Sequence, residues 1–163
     1  MFKMTKTQIY IKIFLFILLL QGCSSSGNPP LDKEYSRIDK QTAETNRLLN
    51  TFNSIEVTLD DSSTMTAYYH NGELKKLHIA KKKALMSKTR DCYFHKWKVI
   101  YISDVEFHSP DSDIQAKYYF KDDSLIGWER SEDLGRIRSE GTNDNKKEKE
   151  LMSDIEAYLL LIQ

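Results

Sequence analysis

The stretch Tyr68–Leu74 (YYHNGEL) places the dipeptide Asn71-Gly72 between two strand-like segments. Both central residues of a type I′ turn adopt positive φ, and Asn-Gly is a dipeptide that tolerates this conformation well. The flanking segments, Thr64–His70 and Glu73–Ala80, have the length of ordinary strands. The sequence therefore predicts a two-residue β-hairpin at this point.

Four further segments outside this hairpin have strand-like patterns. Before it, apolar and polar residues alternate over Ile55–Asp60, which is typical of a half-buried strand. After it come Val99–Phe107, Ile114–Phe120 and Leu125–Arg130, separated by polar turn clusters. Lys81–Arg90 is interpreted as a basic connection between strands. Together these segments predict an antiparallel sheet of about five or six strands, arranged as a meander of hairpins.

Aromatic pairs recur at a constant spacing along this region. Tyr68-Tyr69, Tyr93-Phe94 and Tyr118-Tyr119 are 25 residues apart both times. The spacing predicts three successive hairpin units, with chance spacing in an aromatic-rich chain as the alternative. Tyr68–Leu74 is similar to the Tyr-Tyr-x-Asn-Gly-x-Leu core of MORN-type hairpin repeats. In the other two copies, Trp97 or Lys98 and Asp123 stand about where that pattern has glycine.

The sheet is predicted to lie between two helices in the sequence. Leu31–Phe52 has apolar residues and threonines at alternating spacings of four and three, which indicates a helix that packs on the sheet. Near the C-terminus, apolar residues between Leu151 and Ile162 form one helical face, with Asn143, Asp144 or Asn145 as its N-cap. The predicted class is α+β, and a small barrel or sandwich is the alternative.

The N-terminal segment differs from the rest of the chain. Residues 1–12 are basic without acidic residues, and Ile13–Leu20 is an unbroken apolar run. A helix needs about 20 apolar residues to span a bilayer, so this run is too short for a permanent anchor and has the length of a signal-peptide core. The run ends in Leu20-Gln21-Gly22-Cys23, which resembles the lipobox of bacterial lipoproteins, with Gln21 in place of a smaller residue.

This resemblance implies cleavage between Gly22 and Cys23, a diacylglyceryl group on the Cys23 thiol and acylation of the new amine. It divides the chain into a signal peptide (1–22), a lipidated cysteine with a flexible linker (23–30) and one globular domain (31–163). The protein is then anchored in the cell envelope through its acyl chains. In a Gram-negative bacterium, Ser24 after the lipidated cysteine favours the outer membrane.

Charge and cysteine content limit the partners and the chemistry that can be expected of the domain. Removing the three lysines of residues 1–22 leaves 21 basic against 24 acidic residues, a formal charge of −3. Nucleic-acid recognition rests on clustered cationic charge, so a nucleic-acid partner is not expected. The second cysteine, Cys92, is interpreted as a buried apolar residue, and a reactive thiol is the alternative.

Candidate sites for chemistry are sparse. If the hairpins stack, His70, His95 and a carboxylate such as Asp104 are placed to hold zinc, although strand histidines are more often surface residues. Asp111-x-Asp113 is a minimal calcium-type pattern. The basic cluster of Lys81, Lys82, Lys83, Lys88 and Arg90 is either a solvated loop or a surface for anionic headgroups or an acidic protein.

No nucleophile elbow, P-loop, zinc-protease or dinucleotide motif occurs in the sequence. We therefore expect a membrane-anchored envelope lipoprotein with a small non-catalytic binding domain and no cofactor. Its partners are membrane lipid through the acyl anchor, and an envelope protein or a cell-wall component. The alternatives are an envelope hydrolase with dispersed catalytic residues, and an assembly accessory, inhibitor or immunity protein.

Overall fold

The computed structural model describes residues 29–60, 62–83, 86–109, 112–132, 135–140 and 144–162. The predicted signal peptide, its cleavage position at Gly22 and the lipidation residue Cys23 lie outside the described residues. Residues 33–163 form one compact unit. Within the described part of the chain, no helix is both long and apolar enough to cross a bilayer.

Eight strands form one antiparallel sheet, and each strand pairs with its neighbours in sequence. The strands are β1 Asn53–Asp60, β2 Ser63–His70, β3 Glu73–Lys83, β4 Met86–His95, β5 Lys98–Ser109, β6 Ser112–Lys121, β7 Ser124–Glu132 and β8 Gly135–Glu140. Helix α1 (Pro29–Leu48) precedes the sheet and continues as a 3₁₀ turn, Leu49–Thr51; helix α2 (Asn145–Leu159) follows the sheet. The α+β class, the meander and both helices agree with the predictions, and over the described residues the sheet is open.

The predicted number of strands was wrong, because two strands have weak sequence patterns. Strand β4 covers half of the predicted basic connection Lys81–Arg90, and β3 extends through Lys83 to cover more of it. After Met86, the first half of β4 is polar on both faces, so it has no apolar alternation to detect. Strand β8 has one aliphatic residue, Ile137, among polar neighbours. Its pairing with β7 supplies the backbone hydrogen bonds that its own composition does not predict.

Three hairpins in this meander are equivalent. The residue pairs Asn71-Gly72, Lys96-Trp97 and Asp122-Asp123 all have positive φ in two-residue turns. The register shifts by one residue at the same distance before each turn, after Tyr68, Tyr93 and Tyr119. Two residues before each turn, an aromatic residue faces an aliphatic one across the strands: Tyr69 with Leu74, Phe94 with Val99 and Phe120 with Leu125.

The predicted repeat is therefore confirmed for two of its three copies and misaligned for the third. Tyr118-Tyr119 is one residue out of phase, and the true equivalent of Tyr93-Phe94 is Tyr119-Phe120. The repeat spacing is 25 residues and then 26, because β5 has twelve residues where β3 has eleven. The pairing of β5 with β6 accommodates the extra residue by a register shift between Phe107 and Ser109. Tyr118 instead lies with Cys92 on the opposite face of the sheet.

The two helices pack on opposite faces of the sheet. Cys92 belongs to the main apolar cluster, which also contains Leu151 and Ile155 of α2. The next residue on β4, Tyr93, points to the other face, where its hydroxyl donates a hydrogen bond to Asn46 of α1 (3.0 Å). Asp144 caps α2 by accepting from the backbone N–H of Lys147. The predictions that each helix covers the sheet and that a residue of 143–145 caps α2 are confirmed.

Candidate functional site: the hairpin-tip row

The three equivalent turns lie side by side at one end of the sheet, and we call residues 70–73, 95–98 and 121–124 the hairpin-tip row. Neighbouring tips are joined by polar contacts. The Glu73 carboxylate accepts a hydrogen bond from the backbone N–H of Lys96. The Lys98 ammonium lies 3.0 Å from the carboxylate of Asp123 in the third tip. Hydrogen bonding to Asp123 raises the pKa of Lys98. These contacts connect each tip to the next.

Helix α1 runs along this row and meets the residue before each turn in succession. Gln41 bonds the ring of His95 at 2.8 Å, and Phe52, just after the helix, stacks on His70 with ring centroids 5.0 Å apart. Near the start of α1, the charge of Lys121 contributes to lowering the pKa of Glu34, behind the larger effect of a hydrogen bond from Arg37. The residue before the turn thus contacts Gln41 of α1 in the middle hairpin and Phe52, which follows α1, in the first hairpin; in the third hairpin it acts on Glu34 through its charge.

Trp97 is the conspicuous side chain of the row. It occupies the second turn position with φ of 66°, where the first hairpin has Gly72 and the third has Asp123. Left-handed backbone costs a residue with a Cβ roughly 1–2 kcal/mol, a cost that glycine avoids. The side chain is 59% exposed, so little core packing offsets this cost. A strained, exposed tryptophan at a fixed tip is the property expected of a contact residue.

The tyrosine-rich face beneath α1 is part of the core. Tyr35, Tyr119, Tyr101 and Tyr93 form a chain of ring contacts with centroid distances of 4.6, 5.2 and 5.6 Å. All four are buried, and burial raises the pKa of Tyr101 and of Tyr119. These four tyrosines therefore pack the core and do not form an exposed binding surface.

A polar network continues beyond the tyrosines on the same face. Asp91 accepts from His78 Nδ1 at 2.7 Å and lies 2.9 Å from the Lys76 ammonium. Burial raises the pKa of Asp91, but the hydrogen bond from His78 and the charge of Lys76 outweigh this effect and lower it. Ser103 pairs with Asp91 on the next strand. Ser103 and His78 are therefore two strands, about 10 Å, apart, too far for histidine to activate the serine hydroxyl.

The end of the sheet opposite the tips holds a charged pocket of about 170 Å³ on the α2 face. Arg90 binds both carboxylate oxygens of Asp104 (2.7 and 2.8 Å) and one of Asp154 in α2 (2.7 Å). Burial lowers the pKa of Arg90, but its bonds with Asp104 and Asp154 more than offset this and raise it. This network links α2 to β4 and β5, so its charges already have partners within the fold.

The zinc grouping of His70, His95 and Asp104, the less favoured alternative for these residues, does not agree with the structure. The two histidines lie in the tip row against Phe52 and Gln41, whereas Asp104 binds Arg90 in the middle of the sheet. Strand side chains also alternate between the two faces of the sheet. The histidines lie on the face covered by α1, and Asp104 lies on the face covered by α2. In the described part of the chain, no group of three or more potential ligands is placed to hold a metal. Asp113 accepts from Gln115, and Asp111 lies outside the described residues.

The basic cluster is not a loop, because its described residues belong to β3 and β4. Arg90 is buried in its ion pairs, and Lys88 is paired with Glu106. Lys81 lies 5.9 Å from the centroid of the Tyr158 ring. Cys92 is fully buried, and burial strongly raises the pKa of its thiol. The interpretation of Cys92 as a buried apolar residue is therefore confirmed.

No family model, curated protein or solved structure matches this chain. Sequence reasoning missed Trp97 as a site residue because it was not recognised as a turn residue. The available signal was the shared order Tyr, aromatic, basic, two turn residues, any residue, aliphatic. This order is present in Tyr68–Leu74, Tyr93–Val99 and Tyr119–Leu125 once the third copy is shifted by one residue.

Proposed function

We propose that this protein is an envelope lipoprotein, anchored to a membrane through Cys23, whose domain is a non-catalytic binding module. The observation that carries the proposal is Leu20-Gln21-Gly22-Cys23 directly after a basic segment and a short apolar run. Two or more acyl chains hold a protein stably at a bilayer, so no spanning helix is required. Cleavage before Cys23 leaves a linker of five residues, Ser24–Asn28, ahead of helix α1.

Two features of the domain support a binding role over a catalytic one. The buried charged groups are paired within the fold: Arg90 with Asp104, and Lys76 with Asp91. Ser103, the serine that pairs with Asp91, lies two strands from His78 and is not activated by it, which weakens the case for a hydrolase. In contrast, Trp97 is presented at a fixed tip where it contributes little to the core. Exposed tryptophans of this kind are frequent anchors in binding surfaces.

The test is fractionation of cells that produce the full chain. Cys23→Ser removes the acceptor sulfur, and we expect the protein to move from the membrane fraction to the soluble fraction or to persist as an uncleaved precursor. The matched control is Cys92→Ala, which replaces the other cysteine by a small apolar residue and leaves membrane retention unchanged. Retention of Cys23→Ser in the membrane with normal processing would reject the anchor.

A further inference from the structure

The end of the domain that carries the hairpin-tip row is also the end where the chain enters the domain. Near the start of α1, within the compact unit, the Tyr35 hydroxyl donates a hydrogen bond to the carbonyl of Ile126 (3.1 Å), three residues after the third turn. Further along α1, Gln41 bonds the ring of His95, the residue before the second turn, at 2.8 Å. From Cys23 to Pro29, where α1 begins, the chain has six residues, which span at most about 20 Å when fully extended. The opposite end is a strand length further away, about 40 Å along the twelve residues of β5.

From this we propose that the hairpin-tip row faces the lipid bilayer and that Trp97 inserts its indole among the headgroups. The inference rests on the proposed lipid anchor and names the surface that the anchor brings to the membrane. Tryptophan prefers the membrane–water interface, because its ring is apolar and its N–H finds polar partners there. Lys96 and Lys98, on either side of Trp97, have long side chains that extend toward phosphates.

The charges of the hairpin-tip row indicate whether the contact with the membrane is mainly electrostatic or mainly apolar. Lys96, Lys98 and Lys121 are exposed, but so are Asp122 and Asp123, and Asp123 already pairs with Lys98. The balance of charge is close to zero, so attraction to anionic lipid is not the main driving force. The indole supplies the binding energy, and the contact depends weakly on salt and on the fraction of anionic lipid. A contact driven by lysines alone would weaken steeply with salt.

The rigidity of the tips favours this contact. Because Glu73 and Asp123 tie the middle hairpin to its two neighbours, the turn that carries the indole is held in place before it meets the membrane. Ordering this turn in advance lowers the entropy cost of binding. The tether and the indole then hold the domain at two points, which orients the sheet relative to the bilayer instead of leaving it to rotate on its linker.

The competing membrane-facing surface is the opposite end of the sheet. Four of the six large apolar side chains that are exposed among the described residues lie toward it: Met86, Phe107, Leu160 and Leu161. Lys81 and Lys82 are exposed nearby. The entry point of the chain favours the hairpin-tip row, and the experiment must distinguish the two ends.

The experiment uses the mature lipidated protein in phosphatidylcholine vesicles whose acyl chains are brominated. In Trp128→Phe the sole tryptophan is Trp97, and we expect its emission to shift to shorter wavelength and to lose most of its intensity by quenching. In Trp97→Gly the sole tryptophan is Trp128, and little quenching is expected. A third reporter, Phe107→Trp with both native tryptophans replaced, places the indole at the opposite end and is expected to stay unquenched.

Quenching of the Phe107→Trp reporter without quenching of Trp97 would assign the membrane-facing surface to the opposite end. Absence of quenching at both reporters would show that the domain stands away from the bilayer. Either result overturns the inference. If Trp128→Phe does not fold, a nitroxide on Lys121→Cys reports the same depth by oxygen accessibility, since buried Cys92 does not take the label. Failure of the lipid anchor is detected by two other measurements. A protein without the anchor shows no added acyl mass and does not float with the vesicles.

Discussion

The hydroxyl of Tyr35 occupies the space that a Cβ would fill at Gly127, since an ideal Cβ built there lies 2.0 Å from the Tyr35 oxygen. From this position the hydroxyl donates a hydrogen bond to the carbonyl of Ile126 (3.1 Å). The contact joins the first helix to the seventh strand. Glycine at position 127 therefore allows α1 to reach the sheet, and α1 in turn runs along the hairpin-tip row.

Gly127→Ala is expected to destabilise the domain by about 1–3 kcal/mol, the usual cost of overpacking. Urea unfolding measures the effect. Tyr35→Phe removes the clashing oxygen, so the double variant Tyr35→Phe/Gly127→Ala should lose less stability than the sum of the single variants. Strict additivity would show that the two residues do not compete for the same space.

Trp97→Gly is expected to stabilise the domain by about 1 kcal/mol, because glycine adopts positive φ without strain. The matched control is Gly72→Ala at the equivalent position of the first hairpin, which should destabilise by a similar amount although the space around Gly72 is open. Thermal and urea unfolding of both variants give the comparison. Destabilisation by Trp97→Gly would mean that the indole packs to hold the tip, against the role of a contact residue.

Arg90→Met should cost about 3–5 kcal/mol, because the buried carboxylate of Asp104 loses both hydrogen bonds from Arg90 and keeps only Lys88 at 3.8 Å. The double variant Arg90→Met/Asp104→Leu removes both charges and should recover most of this loss. Unfolding of the three proteins in urea separates the two outcomes. If the double variant is no more stable than Arg90→Met, the loss does not come from an unpaired buried charge at Asp104. The ion pair would then stabilise the domain beyond neutralising two buried charges.

The stability of the domain should depend on Asp91 in a defined pH range. Its pKa is lowered in the folded state, so its contribution is present above the unfolded pKa of about 4 and is lost as the pH falls through the lower folded value. The deficit of Asp91→Asn relative to wild type is therefore expected to be full at neutral pH and to shrink in acid. The control is Asp122→Asn, which removes one negative charge from an exposed carboxylate. A deficit that stays constant down to the acid limit would contradict this assignment.

The native protein is expected to have no reactive thiol. Cys92 is fully buried with a raised pKa, which disfavours the nucleophilic thiolate, and the proposed lipid occupies Cys23. A disulfide reagent should therefore react once per chain, and only after denaturation. Reaction of one thiol in the folded protein and a second after denaturation would indicate that Cys23 is free.

The elements with clear local signals were predictable from the sequence. Asn71-Gly72 identifies the first hairpin, and the apolar spacing of α1 and α2 identifies two helices that pack on the sheet. The elements that were missed depend on partners elsewhere in the chain. The first half of β4 holds Arg90, whose burial is possible only because Asp104 and Asp154 arrive from β5 and α2. No pattern within β4 itself shows this.

The candidate site was harder to predict for a related reason. Lys96-Trp97 and Asp122-Asp123 form the same turn as Asn71-Gly72, but their compositions are not typical of positive φ. Pairing of the flanking strands imposes the turn on them. The role of Trp97 becomes visible when the three hairpins are aligned by their turns, because the middle copy then has an exposed indole where the first has glycine.

Intact mass spectrometry of the mature protein, extracted from membranes in detergent, tests the lipid anchor most directly. We expect a chain that begins at Cys23 and carries the added mass of a diacylglyceryl group, with a further acyl chain where the amine is also modified. A chain that retains residues 1–22, or one that begins near this position with an unmodified cysteine, would contradict it.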